Sequence, residues 1–355
     1  MTAVGTTAGP GGAGGGFLLA PERVKEASLA GLIVLSLVVF NLVIDDYVSG
    51  RFFNRVAISV AITALLAAGE AVVIIARQVD LSVGSIVGVS AYVTGDVLTS
   101  NPDLSPVLAV ALAVAIGAGL GLVNGTLVAF AGVPAIIVTL GTLAIYRAAL
   151  TNVAGGTTLT TNALPDWVVD LPRSTIVSAG DFDLRTMFVI ALVAGVVLHL
   201  AMGSLRWGRR IYAIGSNPDA ATQAGLPRRR LVLGAFVLCG ALAGLAGFMF
   251  LGQFGTVNVT AGANLELAAI GAAVVGGVSI QGGSGTVLGA FLGAVLIEIL
   301  DLSLVRVPQI SEFWRDAILG LLILGAVILD VVVNGRLRGR RRRDGVAAPT
   351  GGAAT

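Results

Sequence analysis

RWGRRIYAIGSNPDAATQAGLPRRR, residues 206–230, is the one long, strongly basic interruption in a chain that otherwise reads as membrane. A miniature helix with its own start and stop signals lies at its centre. Asn217 can cap the first turn through its side-chain oxygen. Pro218 sits at the first helical position, where a missing N–H costs nothing. Asp219 places negative charge near the positive end of the helix dipole. Ala220, Ala221, Thr222, Gln223 and Ala224 continue the helix, and Gly225 can take the left-handed conformation that ends it. The result is about two turns, roughly 10 Å long. Its small alanines suit it to a groove on another protein. The same spacing also fits a solvated loop, and spacing alone does not separate the two readings.

Outward from this stretch the chain is apolar. Hydrophobic residues make up 56% and charged residues 12%, with a mean hydropathy of +0.94. A soluble domain carries about 25% charge. The expectation is an all-α polytopic membrane protein of about ten transmembrane helices. The runs lie near 27–44, 56–77, 81–99, 105–130, 135–154, 186–204, 231–252, 265–280, 284–304 and 313–333. The eighth is short, and the turn GGVSIQGGSG (276–285) separates it from the ninth, so these two read as short tilted helices or a re-entrant pair. Gly282, Gly283 and Gly285 are the expected turn formers. A membrane domain, 21–335, is flanked by a Gly/Ala/Thr-rich tail (1–20) and a basic tail (336–355), both expected to be disordered. The first run is read as an anchor rather than a signal peptide. Cys239 is the only cysteine, which excludes an intrachain disulfide and a cysteine metal cluster. It reads as packing, and His199, the only histidine, as a boundary residue.

Orientation follows from the basic residues. With the N-terminus inside, fifteen fall on inner segments: Arg23, Lys25, Arg77, the 206–230 arginines, and six between Arg336 and Arg343. Six fall outside: Arg51, Arg55, Arg173, Arg185, Arg306 and Arg315. Both termini and 206–230 are therefore expected in the cytoplasm, and 155–185 outside. Arg147 falls near the outer end of the fifth run.

A faint inverted repeat is visible. DLSVGSIVG (80–88) resembles NLELAAIGA (264–272), and GLVNGTLV (121–128) resembles GAFLGAVL (289–296). Each pair is followed by Val-Pro, at 133–134 and 307–308. An offset of five spans inverts the topology, which is a transporter pattern. Chance similarity between Gly/Ala/Leu/Val-rich strings is the competing explanation.

No soluble-enzyme chemistry presents itself. There is no phosphate-binding loop with its lysine, no GxSxG elbow and no His/Cys/Asp cluster with metal spacing. The chain should not hydrolyse ATP, and no metal, cofactor or nucleic acid is expected on it. A membrane-bound enzyme would need an intramembrane catalytic pair, and none is seen. Polar groups do lie in the apolar runs: Glu70, Asn124, Thr139, Thr142, Glu266 and Glu298. A charge at the centre of a span costs about 2.5–3.5 kcal/mol on insertion scales, so such groups face a bundle interior or an aqueous path. For Glu70 and Glu298 a hydrogen-bonded helix contact competes with a substrate contact. For Asn124, in GLVNG, the competitor is close helix packing. Asp80, Ser82 and Asn264, from the matching strings, join Glu70, Asn124, Thr139, Thr142 and Glu266 as candidates for a translocation pathway.

These strings carry a resemblance. QVDLSVGSIVG (78–88), GVPAIIVTLGT (132–142), IYAIGSNPDAATQAG (211–225), LELAAIGAAVVGGVSIQGGSGTVLGA (265–290) and FWRDAILGLLILGAVILD (313–330) resemble, in order, blocks of the permease subunits of bacterial carbohydrate ABC importers of the ribose/xylose type. The blocks are specific together and cover about 56–333. The resemblance implies a permease in the bacterial inner membrane, paired with a second copy or a close paralogue. Two cytoplasmic ABC ATPase subunits, carrying the ATP and Mg, and an extracytoplasmic sugar-binding protein complete the system. It also implies that Gly215, Asn217, Pro218, Ala220, Ala221 and Gly225 couple transport to ATP hydrolysis. The acidic stretch 298–301 departs from the pattern and leaves the sugar open among pentoses, galactose-like hexoses, rhamnose and furanosyl signalling molecules. Other expectations are a permease for branched-chain amino acids or another solute, and a stand-alone secondary transporter or channel. Uptake with and without the ATPase separates the last.

Overall fold

The computed structural model describes residues 21–307 and 310–328, apart from 312, 313 and 316. The two expected tails, the end of the last apolar run (329–333) and Pro308 lie outside the described residues. In chain order the helices are α1 (Pro21–Val43), α2 (Gly50–Ile75), α3 (Val83–Ser100), α4 (Pro106–Ala129), α5 (Ala135–Ala154) and the short α6 (Asp166–Val169). An antiparallel hairpin of β1 (Thr175–Ala179) and β2 (Phe182–Arg185) follows. Then come α7 (Thr186–Ser204), α8 (Arg206–Ser216), α9 (Pro218–Gln223), α10 (Arg228–Phe254), α11 (Leu265–Val275), α12 (Val287–Leu304) and α13 (Ala317–Ile328).

Seven of these are long and apolar enough to cross a bilayer: α1, α2, α4, α5, α7, α10 and α12. The other three expected runs are α3, α11 and α13. The eleven residues of α11 cover only about 16 Å, against a hydrocarbon core of about 30 Å. The short-helix expectation for 265–280 therefore describes it better than a full span.

α2 is buried along nearly its whole length, whereas α4, α5 and α7 expose most of theirs. The apolar faces of the exposed helices carry Leu122, Ile137, Leu140 and Val197. In water such surfaces would be prohibitive; they suit lipid or the face of a second membrane chain.

The closest packing joins α4 to α10. Gly117, Gly121 and Gly125 on α4 meet Phe236, Gly240 and Gly244 on α10. A Cβ on Gly117 would overlap the Gly240 carbonyl, and one on Gly240 would overlap the Gly117 carbonyl. Small residues four apart let backbones touch where lipid offers no hydrophobic drive. α2 packs on α12, and α10 packs on α4. These are equivalent pairs under the five-span repeat.

α3 and α11, the helices of the first matching strings, begin inside the bundle. After α2 ends, residues 76–82 run back non-helically to Val83. After α10 ends, 255–264 do the same before Leu265. The two starts meet: Gly84 and Gly262 are in backbone contact so close that a side chain on either would overlap the other's carbonyl. From there α3 runs towards Leu159 and Leu251 at one end of the bundle. α11 runs the other way, to the 276–285 turn. Two interrupted helices with opposed directions and facing N-termini are how many transporters build a site at mid-bundle.

Candidate functional site

Most of the polar residues nominated from the sequence separate into a fully buried group and a less buried one. Asp80 organises the first. Its Oδ1 accepts hydrogen bonds from the Ser82 backbone N–H (2.9 Å) and the Ser82 hydroxyl (2.6 Å). This turn, formed by a side chain reaching two residues on, starts α3. The Asn124 amide on α4 donates to both Asp80 oxygens (3.4 and 3.3 Å) and to Ser82 Oγ (2.7 Å). Tyr146 on α5 donates to Asn124 Oδ1 (3.1 Å) and to the Leu120 carbonyl (2.9 Å). Glu70 on α2 approaches from the other side, with Oε2 3.5 Å from the Asp80 N–H and Oε1 without a partner. Thr139 donates to the Ala135 carbonyl (2.8 Å) and reaches Val79 O (3.5 Å), and Thr142 reaches Thr139 O (3.4 Å). All six nominated residues in this group, Glu70, Asp80, Ser82, Asn124, Thr139 and Thr142, are buried. In this conformation they join α2, α3, α4 and α5 rather than lining an open path. The Asn124 alternatives merge, because the residue both packs in the α4 seam and completes the network.

Asn264 and Glu266 form the second group at the start of α11. Asn264 is exposed in a left-handed conformation (φ 67°), and Glu266 is half-buried against Gly84. Glu266 Oε2 has no hydrogen-bond partner. Arg147 on α5 interacts electrostatically with Glu266. Its Nη1 donates to the carbonyls of Val259 (3.2 Å) and Ala261 (2.5 Å). Arg147 thus clamps the segment before α11. The sequence reading used Arg147 only for orientation and passed over Tyr146. The signal was available, since a Tyr-Arg pair in an apolar run is as costly to bury as a carboxylate.

Glu298 belongs to neither group. Thr63 on α2 donates to its Oε1 (2.5 Å), a contact between α2 and α12 that matches the hydrogen-bonded helix-contact reading. Cys239 is buried against Gly69, and His199 is half-buried on α7.

The basic stretch folds into two helices, where the sequence marked only one. α8 is amphipathic. Gly208, Ile211, Ile214 and Gly215 are buried, while Arg206, Arg209 and Arg210 are exposed. α9 follows at once. Asn217 Oδ1 accepts from the Ala220 N–H (3.1 Å), Pro218 is at the first position, and Gly225 beyond the end has φ 76°. Ala221 is turned into its own chain, while Asp219, Ala220, Thr222 and Gln223 are exposed. The reading that put Ala221 at a partner's groove is therefore corrected. One side of a two-turn helix must seat on the permease, and Ala221 is on that side. Ala220 is on the free one.

Gly215 anchors the pair. A Cβ there would overlap the Ile75 carbonyl at the end of α2. The Gly283 N–H donates to that same carbonyl (2.9 Å), and Tyr212 donates to Gly285 O (2.8 Å). Gly282, Gly283 and Gly285 have φ of 78°, 73° and 115°, a region that a side chain strains. The coupling candidate, the end of α2 and the Gly-rich turn thus form one junction. At the other end of the bundle Asn54 near the start of α2 holds the hairpin. It donates to Asp181 O (3.1 Å) and accepts from the Asp183 N–H (2.9 Å).

The comparisons with known proteins agree with this architecture. The autoinducer 2 import system permease protein LsrC of Yersinia enterocolitica is 36% identical over 312 residues, covering 86% of this chain and 82% of the relative. The protein of the same name from Yersinia pestis is 37% identical over 310 residues, covering 86% and 84%. That from Salmonella typhi is 35% identical over 321 residues, covering 89% and 87%. No solved structure matches. Residues 52–327, from the start of the buried α2 to the end of α13, match the family described as branched-chain amino acid transport system / permease component, and the chain belongs to that permease family.

Proposed function

We propose that this chain is the membrane-spanning subunit of an ATP-binding-cassette importer for a monosaccharide-like solute, working by alternating access. ATP and Mg belong to a separate ATPase chain, and this chain carries no cofactor of its own. A second permease, identical or paralogous, and an extracytoplasmic binding protein complete the assembly in the bacterial plasma membrane. The observation that carries the reading is the α8–α9 pair. It lies outside the spans, is locked through Gly215 to the end of α2, and leaves Asp219, Ala220 and Gln223 free for a partner. A rigid lever of this kind serves a permease driven by another chain and is superfluous in one driven by an ion gradient. The gathering of Arg77, α8, α9 and the α10 arginines at one end supports a cytoplasmic position for that end.

The similarity to autoinducer 2 import permeases over most of both chains, with the carbohydrate-type string at 78–88, supports a small hydroxylated solute over a branched-chain amino acid. Asn264, exposed, and Glu266 and Arg147, both half-buried, are the polar groups proposed to meet it beside two helix N-termini. The Asp80 network holds the frame behind them.

Right-side-out proteoliposomes with ATP enclosed and the binding protein added outside test this directly. Uptake of a radiolabelled sugar panel should require the ATPase subunit, ATP and the loaded binding protein together. Uptake driven by an ion gradient with no ATPase would establish a stand-alone transporter instead.

A further inference from the structure

Between the α4–α5 turn and the start of α10 lies a cleft of about 780 Å³. One side presents Arg228, Arg229 and Arg230, all exposed. Among the described residues none of the three has a carboxylate partner. The opposite side is apolar, made by Val128, Phe130 and Val133. The three arginines fan around the first turn of α10 beside this apolar lining, a cationic and an apolar surface side by side. Together they suit an amphipathic anion. The first turn of α10 adds its own partial positive charge.

A free inorganic anion would use the arginines and leave the wall without purpose. The wall is continuous with exposed apolar residues of the same two helices. Leu127 of α4 and Phe130 just beyond its end are exposed, as are Ile136, Ile137 and Leu140 of α5. A ligand whose charged head sits at Arg228–Arg230 and whose chains follow those residues satisfies both halves of the site. We propose that this cleft binds one anionic phospholipid, its phosphate held by the three arginines and its acyl chains lying along α4 and α5. Guanidinium groups match phosphate oxygens in pairs, which suits arginine to this position better than lysine. The lipid would also rest beside Thr222 of α9, which lines the same cleft.

The test uses the full-length permease in detergent, with bound lipid counted by native mass spectrometry. Phosphatidylglycerol should be retained at one copy under conditions that strip phosphatidylcholine. Changing Arg228, Arg229 and Arg230 to Gln should weaken retention by about five-fold per arginine. The triple Lys variant should keep most of it, and its correct insertion separates charge loss from misfolding. R206Q, on α8 and outside the cleft, should change nothing. Phe130→Ser should weaken retention with the arginines intact. Equal retention of both lipids, or an unchanged triple Gln variant, overturns the proposal. So does displacement by inorganic phosphate, which would make this a free-anion site. Loss of ATPase co-purification with unchanged lipid retention would assign the arginines to the ATPase instead.

Discussion

Replacing Asp80 with Ala removes the acceptor for the Ser82 N–H, the Ser82 hydroxyl and the Asn124 amide at once. The Asn124 amide keeps Ser82 Oγ, but each of the two Ser82 donors stranded in the interior costs about 1–3 kcal/mol, so the variant should lose about 2 kcal/mol or more of stability. A drop in its detergent melting temperature and in assembled yield checks this. Glu266→Gln makes the opposite prediction. Glu266 is half-buried and its Oε2 has no hydrogen-bond partner, so folding should tolerate the change. Uptake should fall about ten-fold, equivalent to roughly 1.4 kcal/mol lost at a polar contact. If Glu266→Gln transports normally while Asp80→Asn folds normally but does not transport, the two groups have been assigned the wrong way round. Only the fold distinguishes these carboxylates, because both stand in similar strings in the sequence.

Among the elements, α9 offers a sharper test than the sequence allowed. Ala220→Glu places a charge on its free face and should abolish ATPase co-purification with little effect on permease stability. Ala221→Glu buries a carboxylate against the permease itself and should lower stability first. Equal effects of the two would mean that α9 is not seated as described. The α4–α10 seam is the other decisive element. Gly240→Leu must push apart backbones already in contact with Gly117 and Gly121. Overpacking of this kind costs about 1–3 kcal/mol or more, and the assembled fraction in fluorescence-detected size exclusion should fall accordingly. Gly283→Val should fail for a second reason, since its positive φ and its contact with Ser216 leave no room for a branched side chain.

At the scale of the whole molecule, α2 connects the two ends. Asn54 near its start holds the β1–β2 hairpin, Glu70 lies against the Asp80 network, and the Ile75 carbonyl at its end accepts from Gly283 and touches Gly215. Its 26 residues make a rod of about 39 Å. A push at α8–α9 therefore reaches the polar network and the far hairpin through one buried helix. Asn54→Ala should loosen the hairpin and reduce stimulation of ATP turnover by loaded binding protein, while basal turnover stays within about two-fold. Such a drop fits the loss of one or two hydrogen bonds of about 1 kcal/mol each. The orientation of that rod is checked by cysteine labelling on a Cys239→Ala background. A membrane-impermeant maleimide should reach Ser178→Cys from outside in intact cells and Gln223→Cys only after permeabilisation. Labelling of position 223 from outside would invert the topology.

Hydropathy, the placement of arginines and a few capping residues were enough to read a polytopic helical membrane protein, the helix at Asn217–Gly225 and the polar groups that apolar runs do not carry without reason; the permease reading came from the resemblance of five sequence blocks to a known family. These are local properties: a span, a cap and a glycine turn are written within a few residues of where they act. The sequence was silent wherever the answer depended on residues far apart. It did not mark α8 as a helix, because an eleven-residue amphipathic segment acquires order only from the junction it packs into. It did not show that Glu70, Asp80, Ser82 and Asn124 close around one another while Asn264 stays exposed and Glu266 half-buried. It gave Tyr146 no role and Arg147 none beyond orientation, because their partners lie on α4 and before α11. Nor did it tell Ala220 from Ala221. Burial is decided by what lies opposite, and only the folded chain brings the opposite side into place.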